Sequence, residues 1–193
     1  MPVIKNIQEN NCQIAIWKMN KSLDDLIKLS NKIDNLKFKT EKRKNEFLSS
    51  RLLLNELLPN TVVSYNTYGA PEIEDDNFMS ISHSKNLTAI IISKNKVGLD
   101  IEKISEKALK LSSKFISKDR HKPLSKEKAT LIWCCKEAVY KWFQKGKINF
   151  VADIKINPFI IKDEGSLIVE FRNQQLTLYY KKINEHFLVY LCK

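Results

Sequence analysis

Residues 97–102, VGLDIE, place two carboxylates in a segment that otherwise has the pattern of a buried β-strand. Alternate side chains of an extended strand lie on one face, so Asp100 and Glu102 point in the same direction from neighbouring positions. The two carboxylates repel each other, and burial of either without a partner is costly. The segment therefore requires either a solvated face or a positive partner against that face.

Composition and length indicate a single ordered globular chain. The protein has 193 residues, of which 43% are hydrophobic, with only 4 Gly and 5 Pro. No stretch approaches the roughly 20 apolar residues that a membrane span requires, and the first residues do not have the pattern of a signal peptide. The 4 cysteines have no C-x-x-C spacing and no histidine clusters with them, which argues against a zinc site. We expect a cytoplasmic protein that does not bind membranes.

The charge balance indicates an affinity for anions without choosing among them. The chain has 33 basic and 22 acidic side chains, a net charge of +11. Such a surface attracts nucleic acid, a phosphorylated cofactor or an acidic protein, and it is equally typical of a lysine-rich solvated surface. No basic run alternates with aromatic residues as in single-strand binders, so we do not expect a nucleic-acid partner, although a nucleic-acid-binding protein remains an alternative.

Hydrophobic periodicity predicts an α+β protein built from two similar halves, residues 1–96 and 97–193. Strand patterns and helix patterns alternate along the chain, and the order of elements repeats about a point near residue 96. Caps at Ser22, Thr40 and Ser125 predict the starts of three helices. The predicted helices are SLDDLIKLSNKI, TEKRKNEFLSSRLLLNELL, SEKALKLSSKFI and KEKATLIWCCKEAVYKWFQK, the last ending at Gly146; the predicted strands are CQIAIWKM, TVVSY, NFMSIS, LTAIIIS, KVGLDIE, FVADIKI, SLIVEF, QLTLYY and HFLVYLC.

A second acidic group lies on the last predicted helix. In WCCKEAVYK, Trp133, Glu137 and Lys141 are four residues apart and share one helix face. Taken alone, Glu137 and Lys141 form an ordinary surface ion pair. Together with Asp100 and Glu102, however, Glu137 completes a set of hard oxygen ligands of the kind that Mg²⁺ prefers.

These segments resemble the signature of the 4′-phosphopantetheinyl transferases. The resemblance rests on VGLDIE, on WCCKEAVYK further along the chain, and on the upstream SISHS and YGAP, which are similar to the surfactin-synthetase-type branch of that family. The helix KRKNEFLSSRLLL also resembles the branch's basic N-terminal helix, so the resemblance extends from about residue 40 to residue 145. Members of this branch are single chains with two similar halves, which implies a monomer with a pseudo-twofold fold.

The resemblance implies an enzyme that transfers 4′-phosphopantetheine from coenzyme A to a serine of an acyl or peptidyl carrier protein, releasing adenosine 3′,5′-bisphosphate. It implies that Asp100, Glu102 and Glu137 bind Mg²⁺ and that Glu137 is the general base. Asp100, Glu137 and Lys141 are thus the expected catalytic residues. The residues expected to contact coenzyme A are Gly69, Pro71, Ser82, His83, Lys42, Arg43, Lys136 and Lys141.

The carrier protein is expected to bind beside the metal site. The segment from Lys103 to Ser125, including Phe115 and the basic residues after it, flanks that site and is the predicted carrier-binding segment. His83 also has a simpler interpretation, since a histidine at a strand end is often a hydrogen-bonded structural residue.

One position departs from the pattern of the branch. The branch commonly has Gly-Lys-Pro where this chain has Gly69-Ala70-Pro71. The missing lysine would contact a phosphate of coenzyme A, so we expect Lys42, Arg43 or another cation to replace it, or the cofactor to bind less tightly. The departure also leaves open a non-catalytic relative that binds coenzyme A or a carrier protein.

Overall fold

The computed structural model describes residues 3–9, 11–19, 22–30, 38–74, 76–117 and 121–193. Within these ranges the helices are α1 Leu23–Leu29, α2 Glu41–Leu57, α3 Glu106–Lys110 and α4 Lys126–Phe143, with a 3-10 turn at Ser112–Lys114. The strands are β1 Val3–Glu9, β2 Cys12–Lys18, β3 Val63–Tyr65, β4 Pro71–Ile73, β5 Phe78–Ser84, β6 Leu87–Ser93, β7 Val97–Lys103, β8 Ile154–Ile156, β9 Glu164–Phe171, β10 Gln174–Ile183 and β11 His186–Cys192. The predicted α+β class is confirmed.

The strands form two antiparallel sheets that divide the chain where the sequence predicts a boundary. The first sheet has the order β1-β2-β6-β5-β4-β3, and the second has the order β7-β11-β10-β9-β8. Each half runs from strand to helices and back to strands. The division of the chain into two domains at residue 96 stays a prediction, because the sheets pack on each other through a shared core.

Three apolar clusters hold four layers together. One contains Ile14 and Ile91 of the first sheet with Leu99 and Tyr190 of the second, so the two sheets face each other. The alternate residues of the first sheet face α1 and α2, and α4 covers the outer face of the second sheet. The layers are therefore helix, sheet, sheet and helix.

Three serines of β5 join the two sheets by hydrogen bonds. Strand β7 pairs with β11 on one side only. On its other side, the backbone N–H groups of Leu99, Ile101 and Lys103 donate to serine hydroxyls of β5 at 3.1, 3.2 and 2.9 Å. The acceptors are Ser80, Ser82 and Ser84, which alternate along the strand and so share one face. Side chains thereby satisfy backbone groups that a further strand would otherwise have to satisfy.

The helix starts agree with the sequence better than the helix ends. Ser22, Thr40 and Ser125 each accept a hydrogen bond from a backbone N–H of the first turn, so all three caps are confirmed. Helix α4 ends at Phe143, before Gly146, because Gln144 already adopts a left-handed conformation with φ of 59°. None of the described helices has the length and apolar character needed to cross a membrane.

Several elements differ from the predicted ones. Residues 105–116 were predicted as one helix, but α3 is followed by a 3-10 turn because the two serines at 112 and 113 favour local hydrogen bonds over a continued helix. Strands β1 and β4 were not predicted. Residues 31–33 of the first predicted helix and residues 118–120 of the basic segment after Phe115 lie outside the described residues.

Gly98 brings α4 close to β7. A Cβ atom at Gly98 would lie 2.1 Å from the carbonyl oxygen of Ala138 and 2.7 Å from Trp142 Cβ. Because side chains alternate along β7, Gly98 shares its face with Asp100 and Glu102. The absence of a side chain at position 98 therefore allows the helix that carries Glu137 to approach the strand that carries the other carboxylates.

We expect Gly98→Ala to lower the free energy of unfolding by about 3 kcal/mol, because the new methyl group overlaps the backbone of α4, which cannot move without disturbing the core. Urea-induced unfolding followed by circular dichroism measures the change. Gly165→Ala is the matched control, since its Cβ would meet the ring of Tyr180 at 3.3 Å, where a small shift suffices. Equal losses in the two variants would contradict the close-packing argument.

Candidate active site

Asp100 lies between β7 and α4 with a positive partner. Its side chain is almost fully buried, with 3% of the residue exposed. Lys141 of α4 donates from Nζ to Asp100 Oδ1 at 2.7 Å. The face of β7 that carries the two carboxylates is thus covered by a helix that supplies a cation, which resolves the requirement raised by VGLDIE.

Glu102 is the second carboxylate of this face, one pleat further along β7. It is half-buried and accepts a hydrogen bond from Trp133 Nε1 at 3.3 Å. Burial, followed by the neighbouring charge of Asp100, raises the pKa of Glu102, while the bond from Trp133 opposes that rise. Trp133 therefore orients a carboxylate that its surroundings favour in the neutral form.

Glu137 is the third carboxylate and has a raised pKa. It lies on α4 one turn before Lys141 and is half-buried. Burial and the charge of Asp100 raise its pKa to about 7, Glu102 adds to the rise, and Lys141 opposes it. A carboxylate with a pKa near neutrality can both take and release a proton under physiological conditions.

The three carboxylates supply the oxygen ligands that a divalent cation prefers, although their oxygens do not converge on one point in this structure. Across the described residues, no group of three His, Cys, Asp or Glu side chains is arranged closely enough to hold a metal ion. Asp100 Oδ2, however, is buried without a hydrogen-bond partner in the described structure. A buried carboxylate oxygen that lacks a donor is costly, and a cation would satisfy it. The predicted set of Asp100, Glu102 and Glu137 therefore fits Mg²⁺ chemically, provided that the side chains turn toward one another.

Ser82 lies beneath this group and does not open to solvent. Only 4% of the residue is exposed, and its hydroxyl donates to Asp100 Oδ1 at 2.7 Å while it accepts from Ile101 N at 3.2 Å. The structure thus places the Ser82 hydroxyl against a predicted metal ligand, and the contact with coenzyme A that the resemblance implied stays a prediction.

His83 opens on a cavity of about 420 Å³ between α2 and the first sheet. Its Nε2–H donates to the carbonyl of Glu46 at 2.8 Å. Burial lowers the pKa of His83 to about 4, an effect that Lys141 and Arg43 reinforce, so the imidazole is neutral at pH 7. Arg43, Gly69 and Pro71 of the predicted cofactor-binding set line the same cavity.

Two of the predicted cofactor contacts have other partners. Lys42 Nζ lies 3.7 Å from Glu46 Oε1 and is largely exposed in the first turn of α2. Lys136 is buried, and its ammonium donates to the backbone carbonyls of Phe150 and Ile154. The structure does not bring Lys136 to the carboxylates or to the cavity, because its side chain points to the loop after α4, about 100° around the helix from Glu137.

Two further cavities lie near the carboxylates, one lined by Lys141 and the other by Glu102. A cavity of about 200 Å³ is lined by Tyr68, Gly69, Pro71, Tyr140 and Lys141. A larger one, of about 440 Å³, is lined on the other side by Glu102, Lys103, Lys107, Phe115 and Trp133. The first cavity is thus linked to the acidic group through Lys141, the partner of Asp100, and the second through Glu102 itself.

Lys39 and Glu46 were not predicted as site residues, and for Trp133 the face shared with Glu137 was predicted but the bond to Glu102 was not. Lys39 lines the cavity beside His83, Glu46 pairs with Lys42 and Arg43, and Trp133 bonds to Glu102. The spacing of Glu46, three and four residues after Arg43 and Lys42, would have indicated the ion pairs. Lys39 precedes the helix and carries no pattern that could have identified it.

In chelator-treated protein, we expect Glu137 to make stability pH-dependent. Between about pH 4.5 and pH 7, folded Glu137 holds a proton that the unfolded chain releases, so its contribution to the free energy of unfolding is complete below pH 4.5 and is lost as the pH rises through 7. The difference between the wild type and Glu137→Gln should therefore fall with rising pH, by up to about 3 kcal/mol. Urea unfolding of both proteins at each pH gives the two free energies of unfolding. Contributions that both proteins share, such as the titration of His83, cancel in their difference. A constant difference would show that Glu137 has an ordinary pKa.

Comparison with known proteins agrees with this geometry. A family model described as the 4′-phosphopantetheinyl transferase superfamily matches residues 96–191. The chain is 28% identical over 160 residues to 4′-phosphopantetheinyl transferase gsp of Aneurinibacillus migulanus, covering 76% of this chain and 65% of that protein. It is 33% identical over 122 residues to enterobactin synthase component D of Salmonella typhimurium and of Salmonella typhi, covering 57% of this chain and 52% of each relative. The chain therefore spans less than two thirds of the length of these relatives. Residues 96–191, about half of the chain, therefore belong to the 4′-phosphopantetheinyl transferase superfamily.

Proposed function

We propose that this protein transfers 4′-phosphopantetheine from coenzyme A to a serine of an acyl or peptidyl carrier protein in a Mg²⁺-dependent reaction, releasing adenosine 3′,5′-bisphosphate. The proposal rests chiefly on one observation. Glu137, whose pKa is about 7 in the metal-free protein, shares a partly buried acidic site with Asp100, Glu102 and Lys141 at the contact between β7 and α4. The name of the relative from Aneurinibacillus migulanus supports the same reaction.

In the proposed reaction, the carrier serine hydroxyl attacks the phosphorus atom that bears the pantetheine arm. A bond forms from the serine oxygen to phosphorus, and the bond from that phosphorus to the bridging oxygen breaks, so that adenosine 3′,5′-bisphosphate leaves with the electron pair. Glu137 takes the proton of the hydroxyl, as a carboxylate general base. Mg²⁺, when bound by Asp100, Glu102 and Glu137, supplies positive charge to the pyrophosphate. Lys141, held by Asp100, adds a further positive charge to the same region.

The nucleotide end of coenzyme A is proposed to bind on the α2 side of the site. Arg43 and Lys39 line the cavity beside His83, and they provide the cations that the chain lacks at Ala70. Both lie close to Gly69 and Pro71, which border the cavity as well as the smaller space that Lys141 lines. A phosphate in this cavity would also raise the pKa of the neutral His83 by offering it an opposite charge.

The carrier protein is proposed to bind on the opposite side. Lys103, Lys107 and Lys114 surround a partly apolar cavity formed by Phe115 and Trp133, next to Glu102. A lysine-rich rim is suited to an acidic protein. We also propose that the protein is a monomer and acts in the cytoplasm. Its macromolecular partners are proposed to be carrier proteins and not nucleic acids.

We expect the protein to add one phosphopantetheine to an apo-carrier protein in the presence of coenzyme A and Mg²⁺, as detected by mass spectrometry. Glu137→Gln should reduce the rate at least 100-fold, because it removes both the base and a ligand, and excess chelator should stop the wild type. Glu127→Gln is the matched control, since Glu127 lies on the same helix but pairs with Lys182 at 3.1 Å. Full activity of Glu137→Gln would overturn the assignment of the base.

A separate experiment tests whether Arg43 and Lys39 replace the lysine that is missing at position 70. We expect Arg43→Gln and Lys39→Gln each to weaken coenzyme A binding about tenfold, because each removes a charged contact with a phosphate. Dephospho-coenzyme A, which lacks the 3′-phosphate, should bind all three proteins almost equally in calorimetry. Lys44→Gln is the control, because Lys44 lies on the same turn of α2 but does not line the cavity. A variant that weakens both ligands to the same extent would show that these cations do not contact the 3′-phosphate.

A non-catalytic relative is the second candidate function. It is favoured by Ala70, where the branch commonly has lysine, and by the absence of a gathered metal-ligand group among the described residues. Calorimetry that detects tight binding of coenzyme A, combined with no mass shift on carrier proteins from fatty acid, polyketide and peptide synthesis, would favour this candidate. Any turnover excludes it.

A further inference from the structure

Three serines of β5 make the same contact with β7, but of these three only Ser82 also bonds to a carboxylate. Ser80, Ser82 and Ser84 each accept a hydrogen bond from a backbone N–H of β7. Ser82 also donates to Asp100 Oδ1 at 2.7 Å. The neighbouring serines thus provide a built-in comparison, because they share the structural role of Ser82 without touching a carboxylate of the site.

The donor and acceptor capacity of a hydroxyl fixes the direction of these bonds. A serine hydroxyl has one proton to donate and lone pairs to accept with. A carboxylate accepts only, and a backbone N–H donates only, so the proton of Ser82 points at Asp100 and a lone pair faces Ile101 N–H. Since the residue is 4% exposed, both bonds are shielded from water, and the hydroxyl has no second proton for a phosphate of coenzyme A.

The two oxygens of Asp100 are consequently unequal. Oδ1 accepts from Ser82 on one side and from Lys141 on the other, at 2.7 Å each. Oδ2 is buried without a hydrogen-bond partner in the described structure. Two donors from different elements, β5 and α4, therefore fix the carboxylate through one oxygen and leave the other without a hydrogen-bond partner.

We infer that Ser82 is a positioning residue, whose hydroxyl holds the Asp100 carboxylate so that Oδ2 can bind a divalent cation. The inference rests on the proposed function for the role of that cation. It assigns to Ser82 a role in metal binding, whereas the family resemblance implied a contact with coenzyme A. Residues that orient metal ligands in this way commonly change metal affinity by roughly 10- to 100-fold when they are removed.

The test compares variants of the full chain by calorimetric titration with Mn²⁺, a hard divalent cation that carboxylate sites accept. We expect Ser82→Ala to raise the dissociation constant roughly 10- to 100-fold. Ser84→Ala loses the equivalent bond to β7 at 2.9 Å and should change the constant less than about twofold. Asp100→Asn defines binding outside the site. Melting temperatures of the two serine variants show whether their structural losses are matched.

Each outcome decides the inference. Equal Mn²⁺ affinities for Ser82→Ala and Ser84→Ala would overturn it, as would a wild type that binds no Mn²⁺ beyond that bound by Asp100→Asn. If Ser82→Ala does not fold, Ser82→Cys replaces it, because the thiol has a similar shape and is only a weak donor. A wild type that binds Mn²⁺ in a Ser82-dependent way but modifies no carrier protein would support the inference and count against the proposed function alone.

Discussion

The contact between the serines of β5 and the edge of β7 is the constraint on which the rest of the structure depends. A backbone N–H buried without an acceptor costs about 1–3 kcal/mol, and β7 has three on the side away from β11, each of which finds a serine hydroxyl. Because the acceptors are side chains, β7 need not continue the first sheet. It instead remains the first strand of the second sheet, and its carboxylates lie where the two halves of the chain meet.

The opposite side of β7 is fixed by a missing side chain. Gly98 lets the backbone of α4 approach within a distance that no Cβ would allow, and this approach brings Lys141 to Asp100. The serines thus fix the position of β7 relative to β5, and the glycine fixes its position relative to α4. A carboxylate such as Asp100 can be buried there because its partners come from β5 and α4, two elements that are held in place independently of each other.

The parts of the site that depend on local periodicity could be predicted from the sequence. Alternation along VGLDIE placed Asp100 and Glu102 on one face, and the four-residue spacing placed Trp133, Glu137 and Lys141 on another. The helix caps were equally predictable, because a cap is a contact within three residues. Contacts between distant segments were not. Strand β1 exists because it pairs with β2, and the partner of Ser82 is a residue 18 positions away. Lys136 is adjacent to Glu137 in sequence, but its long side chain reaches the carbonyls of Phe150 and Ile154, which no spacing indicates.

The distribution of charge explains how a chain with a net charge of +11 can contain an acidic site. Exposed lysines and carboxylates attract one another only weakly in water, and salt screens this attraction further. Here the carboxylates are buried while most of the lysines remain at the surface, so the two sets act separately. Burial is the main cause of the raised pKa of Glu102 and of Glu137, and the charge of Asp100 adds to it, because three carboxylates share one lysine and so leave an excess of negative charge. A second cation would lower those pKa values by stabilising the ionised forms. The same excess that destabilises the ionised site in the free protein thereby becomes affinity for a divalent ion.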